Sequence, residues 1–183
     1  MKKTILALAL LASPAFVSAH DFSYTYAEGG YVNLDGVAEG PFLAGSFEFG
    51  DSGVFVFGNH TQAEVDFFNL DVNTSELGLG YHHSVHSRVD VFGELAYQYA
   101  ETDLGLFNVS VEGYRAALGA RVHLVGNLDG LVKVNHYAGG DFDTDQSVTA
   151  GLEYSFGKRW SVVADTEFNE GPELYRLGAR YSF

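Results

Sequence analysis

Residues 174–183 read LYRLGARYSF, and apolar side chains alternate along them with small or charged ones. One face of this stretch carries Tyr175, Leu177, Ala179, Tyr181 and Phe183, whereas the other carries Leu174, Arg176, Gly178, Arg180 and Ser182. Because successive side chains of a β-strand point to opposite faces, the alternation predicts a strand with one apolar and one polar face. The same pattern precedes it at 146–156 and 160–168.

Breaks between the alternating stretches predict the topology. Tight turns are expected at 51–53, 84–87, 125–128 and 157–159, and polar segments at 34–40, 64–72, 101–107, 140–145 and 169–173. Five hairpins make ten strands, with eight strands as the alternative if one weak hairpin is over-counted. The predicted strands are 22–33, 41–50, 54–63, 73–84, 88–100, 108–124, 129–139, 146–156, 160–168 and 174–183.

Composition narrows the class of protein. The chain has 183 residues, a formal net charge of −14, 22 glycines, three prolines and no cysteine. The negative charge argues against a nucleic-acid partner. The lack of cysteine excludes disulfides, thiol catalysis, cysteine zinc sites and a lipoprotein anchor.

The N-terminus has the pattern of a secretory signal peptide. Lys2 and Lys3 precede an apolar stretch, and Val17-Ser18-Ala19 supplies the small residues of a cleavage site. We expect cleavage before His20, so residues 1–19 are removed and 20–183 form a single domain. The uncharged stretch is too short for a membrane-spanning helix, which needs about 20 residues.

The charges on the polar faces indicate which side of the sheet is inside. These faces are sparse and rich in glycine, which suits a narrow interior filled by ion pairs better than a solvated exterior. The apolar faces would then contact lipid, with aromatic residues such as Trp160 near the membrane interfaces. The predicted interior charge cluster comprises Glu28, Glu48, Glu76, Asp90, Glu94, Arg115, Arg121, Lys133, Glu153, Asp165, Glu167, Arg176 and Arg180.

Short motifs resemble those of small bacterial outer-membrane β-barrels, such as the OmpA membrane domain and OmpX. Tyr181-Ser182-Phe183 is similar to their C-terminal assembly signal, and Glu28-Gly29-Gly30-Tyr31 is similar to a motif of OmpX-like barrels. The stretch SYTYAEGGYVNLD at 23–35 resembles a subgroup associated with diffusible-signal communication. The resemblance implies an integral outer-membrane location, recognition of Phe183 by the barrel-assembly machinery, and a signalling-associated role.

These observations predict an all-β, up-and-down antiparallel transmembrane β-barrel, closed by pairing of the first and last strands. We expect it to be monomeric in outer-membrane lipid. The hairpin segments opposite the termini contain twelve acidic residues and no lysine or arginine, which predicts an acidic outer ring. Its representative members are Asp66, Asp103, Asp141, Asp143 and Asp145.

No catalytic, cofactor or metal site is predicted. Asp141, Asp143 and Asp145 alternate as at the start of a calcium loop, but Gln146 and Leu152 stand where such a loop needs glycine and glutamate. His82 and His83 are adjacent, so they face opposite sides of a strand and are expected at the membrane interface. His60 and His136 lack a convincing nucleophilic partner.

The predicted function is therefore that of a largely plugged, non-enzymatic barrel in envelope integrity, surface interaction or signalling. A narrow cation-selective pore is the alternative. An enzyme that modifies lipid at the barrel rim is a third hypothesis.

Overall fold

The computed structural model describes residues 22–65, 70–103, 108–140 and 144–183. They form ten strands: β1 (Tyr26–Leu34), β2 (Ala38–Glu48), β3 (Val54–Val65), β4 (Leu70–His86), β5 (Val89–Asp103), β6 (Asn108–Val125), β7 (Leu128–Ala138), β8 (Asp145–Ser155), β9 (Trp160–Phe168) and β10 (Leu174–Ser182). The prediction of ten strands is confirmed, and the alternative of eight is wrong. The predicted signal peptide, 1–19, lies outside the described residues.

The strands close into one antiparallel barrel. Each strand pairs with its neighbours in sequence, and β1 also pairs with β10. This seam runs from Tyr26 opposite Ser182 to Leu34 opposite Leu174. The predicted closure of the first strand on the last is confirmed. Over the described ranges, no helix is long and apolar enough to cross a membrane.

β3, β4 and β5 are longer at the outer end than the sequence predicts. They have 12, 17 and 15 residues, whereas a tilted strand needs about 9–11 to cross a bilayer. Parts of the segments 64–72 and 101–107 that were expected to be loops are therefore strand. The pairing of β3 with β4 continues to Val65 opposite Leu70.

The first outer hairpin is tighter than predicted. The expected segment 34–40 reduces to a turn at 35–37, in which the Val37 amide donates to the Leu34 carbonyl at 2.7 Å. Asp35 and Gly36 have φ values of 42° and 69°. This left-handed backbone suits aspartate and glycine, which explains why the chain can reverse here in so few residues.

Exposure alternates along the strands as the pattern predicts. Leu43, Leu95 and Leu118 on the outer surface are 69%, 69% and 74% exposed, whereas inward-facing Asn135 and Thr149 are 0% and 1% exposed. The core of the molecule is thus a polar lumen, and the apolar band faces outward. Such a band is what a bilayer requires of a barrel.

Aromatic side chains mark the inner end of the outer surface. The ring of Tyr181 packs edge-on against Trp160 at 5.0 Å and Phe183 at 5.1 Å. Arg159 donates to the Tyr181 hydroxyl at 2.6 Å. Both chain termini of an even-stranded bacterial barrel lie on the periplasmic side, so this cluster lies at the periplasmic interface.

Candidate functional site in the barrel lumen

Arg115 on β6 is the centre of the largest polar cluster in the lumen. Its guanidinium makes two hydrogen bonds to Glu76, at 2.7 and 2.8 Å, and one to Glu94 at 2.8 Å. It also donates to the amide oxygen of Asn135 at 3.2 Å. Lys133 lies 3.5 Å from the same Glu94. Because these partners come from β4, β5 and β7, the cluster bridges four neighbouring strands across the lumen.

A second cluster lies at the seam of the barrel. Arg180 donates to Glu28 on β1 at 2.8 Å and to Glu153 on β8 at 2.7 Å. Arg176 donates to both oxygens of Asp165, at 2.9 and 3.0 Å. Every carboxylate in this group therefore has a guanidinium partner, which the burial of charge requires.

Aromatic rings accompany these arginines inside the lumen, although the sequence pattern predicts aromatic residues chiefly on the outer surface. The guanidinium carbon of Arg180 lies 4.0 Å from the centre of the Tyr26 ring, and that of Arg121 lies 4.6 Å from the Tyr24 ring. Arg115 and Arg176 lie at 5.6 and 5.5 Å from Phe57 and Phe42. Aromatic packing therefore fills space that the charges leave.

Inward-facing glycines make room for two further aromatic rings in the lumen, Phe55 and Phe92. A Cβ atom at Gly80 would lie 2.2 Å from the Phe55 ring, and one at Gly119 would lie 2.5 Å from the Phe92 ring. The sequence does place these glycines on the polar faces. Their aromatic neighbours could not be identified without the strand register, which pairs Gly80 with Phe55.

Asn135 joins the Arg115 cluster to β8. Its amide nitrogen donates to the hydroxyls of Ser147 and Thr149, both at 2.9 Å. Ser147 in turn donates to Glu167, which also accepts from the Tyr137 hydroxyl at 2.6 Å. Asn135 was not predicted as a lumen residue, because a neutral amide does not stand out in a polar stripe.

Residues 22–25 occupy the inner mouth of the barrel, which corrects the prediction that they begin the first strand. Tyr24 is 3% exposed, and its ring stacks on His82 at 3.8 Å. The Ser23 carbonyl accepts from Arg121 at 3.1 Å. The Thr25 hydroxyl accepts from the Glu48 amide at 3.0 Å. This segment, Phe22–Thr25, lies in the periplasmic mouth of the barrel and is named the inner plug.

His82 faces the lumen, so its expected position at the membrane interface is wrong. Its Nε2 lies 3.0 Å from Glu48, and its Nδ1 lies 3.3 Å from Asp90. A second inward pair nearby joins His123 Nδ1 to Asp129 at 2.7 Å. Both histidines follow the parity of their strands, but a sequence gives no direct measure of which parity is inward so close to a turn.

The lumen narrows from the outer end to the inner end. An outer vestibule of about 320 Å³ lies above the Arg115 cluster. A cavity of about 80 Å³ follows between the two arginine clusters, and one of about 20 Å³ lies beside Phe22 and Arg121. The last two hold at most a few water molecules.

The acidic ring is only partly within the described residues. Asp66, Asp141 and Asp143 lie outside them, Asp103 ends β5, and Asp145 begins β8 with an exposed side chain. Other outer carboxylates accept hydrogen bonds from neighbouring side chains: Glu39 from Tyr31 and Asn33, Glu101 from Asn108, Glu112 from Tyr97, and Glu173 from Tyr175.

His60 and His136 are the histidines that the sequence offers as catalytic candidates. His60 Nδ1 lies 2.9 Å from Ser75 Oγ on the outer surface, but the described contacts of His60 include no carboxylate to orient the ring. His136 is exposed on the lipid-facing surface. Within the described ranges, no group of three histidine or acidic side chains could hold a metal ion.

The closed barrel, its polar lumen and its apolar outer band define an integral bacterial outer-membrane β-barrel protein. No protein-family model and no curated protein sequence matches the chain. Solved barrels share its fold at low identity. The KdgM porin is 15% identical, with a TM-score of 0.55 over 86% of this chain and 99% of that one.

Two further solved structures agree. The NanC porin is 11% identical, with a TM-score of 0.51 over 87% of this chain and 100% of that one. The β domain of the Bordetella autotransporter BrkA is 10% identical, with a TM-score of 0.51 over 87% of this chain and 99% of that one. The resemblance to OmpX-like barrels and to the signalling-associated subgroup stays a prediction.

Proposed function

We propose that the protein is a closed outer-membrane barrel that works through its outer face rather than as a general diffusion pore. The roles that this includes are envelope integrity, surface interaction and signalling. The observation that carries the proposal is the pair of clusters of buried ion pairs and hydrogen bonds, one around Arg115 and one around Arg180, in the middle of the lumen.

The energetics of these contacts support a permanently closed state. Arg115 and Glu76 are 4% and 8% exposed, so separating them would leave charges in a site that water barely reaches. Removing one member of such a pair costs about 3–5 kcal/mol. Opening the lumen would also require the inner plug to leave its contacts with His82 and Arg121.

Conductance in a planar bilayer tests the proposal. We expect the refolded protein to give no steady current, even when insertion is verified by recovery of folded protein from the membrane. We also expect no current from the Glu153→Ala and Asp165→Ala variants, because the Arg115 cluster stays intact in both. A steady current through the unmodified protein would overturn the proposal.

The second candidate is a narrow cation-selective pore. Two solved structures with this fold, KdgM and NanC, are described as porins. The acidic residues at the outer end would concentrate cations at the mouth. If this candidate is correct, the current carried by the unmodified protein favours cations, and the Glu153→Ala and Asp165→Ala variants change it. Lys158→Ala, at an exposed inner turn, should leave the current unchanged.

A further inference from the structure

We propose that the outer vestibule binds a small organic cation with an apolar group. This inference rests on the proposed function and deepens it, because it gives the outer face of the closed barrel a class of ligand. The vestibule has a volume of about 320 Å³. That is at the lower end of the range for small-molecule sites, about 300–1,000 Å³.

One side of the vestibule is apolar. Its wall carries Val32, Ala38, Ala63, Val65, Val72 and Leu174, which face inward from β1, β2, β3, β4 and β10. These side chains point away from the bilayer, so contact with lipid does not account for them. When an apolar ligand displaces the water against such a surface, the free energy falls, so binding is favoured.

A carboxylate without a cationic partner borders this wall: Glu167 on β9 pairs with Leu174 of β10 in the strand register. Glu167 accepts hydrogen bonds from Tyr137 and Ser147, which are both neutral, and both go to the same oxygen, Oε1. Among the described residues, no lysine or arginine forms a salt bridge with it. Its second oxygen, Oε2, has no hydrogen bond there, which leaves an acceptor for an ammonium group.

The cations at the floor of the vestibule are already neutralised. Arg115 is held by Glu76 and Glu94, and Arg176 is held by Asp165. Lys133 lies 3.5 Å from Glu94. Three cations therefore face four carboxylates once Glu167 is included. The local charge is negative, so a cation balances it and an anion does not.

The outer surface supports entry of the same class of ligand. The hairpin segments at this end contain acidic residues and no lysine or arginine. Charged rims of one sign raise the local concentration of oppositely charged solutes. A ligand with an ammonium group and an apolar body would thus be attracted at the rim, paired with Glu167 and packed against the valine wall.

Methyl NMR on the detergent-folded protein tests the proposal with three probes of similar shape: 2-phenylethylamine, 2-phenylethanol and 3-phenylpropionate. We expect the amine to shift the methyl signals of Val65, Val72 and Leu174 in a saturable way. The alcohol and the carboxylate should bind at least tenfold more weakly. The methyl groups of Leu79 and Leu95, on the lipid-facing surface, report any probe that merely enters the detergent.

Two charge-matched variants locate the site. Glu167→Gln keeps an oxygen for Tyr137 and Ser147 but removes the charge, and it should weaken binding of the amine at least tenfold. Glu170→Gln removes the same charge from an exposed position outside the vestibule, and it should change binding less than twofold. Val72→Thr keeps the shape of the wall but makes it more polar, and it should weaken binding severalfold.

Several results would overturn the proposal. These are stronger binding of 3-phenylpropionate, equal losses in the Glu167→Gln and Glu170→Gln variants, or shifts confined to the lipid-facing methyl groups. Failure here is distinct from failure of the proposed function. The NMR experiment measures binding in detergent, whereas closure of the lumen is measured as current across a bilayer.

Discussion

Arg115 shows how a single side chain organises this lumen. It replaces water as the partner of Glu76, Glu94 and Asn135 at once, so its charge is compensated and both buried carboxylates are satisfied. A buried ion pair is a weak source of stability compared with a well-packed apolar core, but a broken one is expensive. Removing Arg115 is therefore expected to cost more stability than the intact ion pairs contribute.

Replacing Arg115 by methionine should lower the free energy of unfolding by about 3–5 kcal/mol, because Glu76 and Glu94 are left as buried charges without a guanidinium. Urea unfolding in micelles, followed by the fluorescence of Trp160, measures this change. Lys158→Met, at an exposed turn, should cost less than about 1 kcal/mol. Equal losses in the two variants would show that the Arg115 cluster is not a buried unit.

The inner plug shows what an element contributes when it is not a strand. Phe22–Thr25 precedes the β1–β10 ladder, which begins at Tyr26, yet it is fixed by a stacked ring, a guanidinium, a hydroxyl contact and the Phe183 amide, which donates to the Thr25 carbonyl at 3.1 Å. The alternation that identifies strands runs through SYTY without interruption, so periodicity could not separate this segment from β1. Only the position of the inner mouth, a property of the closed barrel, explains why the chain turns inward here.

Replacing Tyr24 by alanine should destabilise the protein by about 3–5 kcal/mol, the usual cost of removing a buried aromatic ring. The comparison variant is Tyr154→Ala, whose ring is 54% exposed on the outer surface. We expect a smaller loss there in urea unfolding. The Tyr24→Ala variant should still give no current, because the Arg115 cluster lies above the plug. A steady current in that variant would mean that the plug alone closes the lumen.

Strand β10 provides the test of which face meets lipid. Leu177 is 59% exposed in the outer band, and an arginine there should cost about 2–4 kcal/mol if it lies near the middle of the bilayer. Val125→Arg, at the inner end of β6, should cost about 0–1 kcal/mol. Refolding in lipid vesicles measures both. A neutral Leu177→Arg variant would mean that the inner and outer faces are exchanged.

For the whole molecule, the sequence was most informative where a feature repeats. The ten strands, their order and the closed barrel follow from alternation and turn spacing. The residues that line the lumen could be predicted only in part. Thirteen charged residues were assigned to it from parity alone, but Asn135, His82 and Asp129 were missed. These contacts depend on which inward side chains of paired strands lie next to one another, and a single sequence does not give that register.

Closure of the barrel predicts a compact, heat-sensitive form. The folded protein should migrate at a different position on a denaturing gel before and after boiling. Gly30→Val should abolish the compact band, because a Cβ at this position would lie 2.1 Å from the Leu177 carbonyl across the seam. Gly171→Ala, in an open exposed segment, should retain it. A compact band from the Gly30→Val variant would show that the seam tolerates a side chain.

The seam between β1 and β10 also sets an order of events in time. Its two strands are separated by almost the whole described chain, so their meeting has a high entropic cost and belongs late in folding. Before then, each strand presents a row of unpaired backbone groups that could add to another chain. The slowest step of folding is therefore also the one in which the protein is most exposed to aggregation through its strand edges. A factor that shields both edges would speed its maturation.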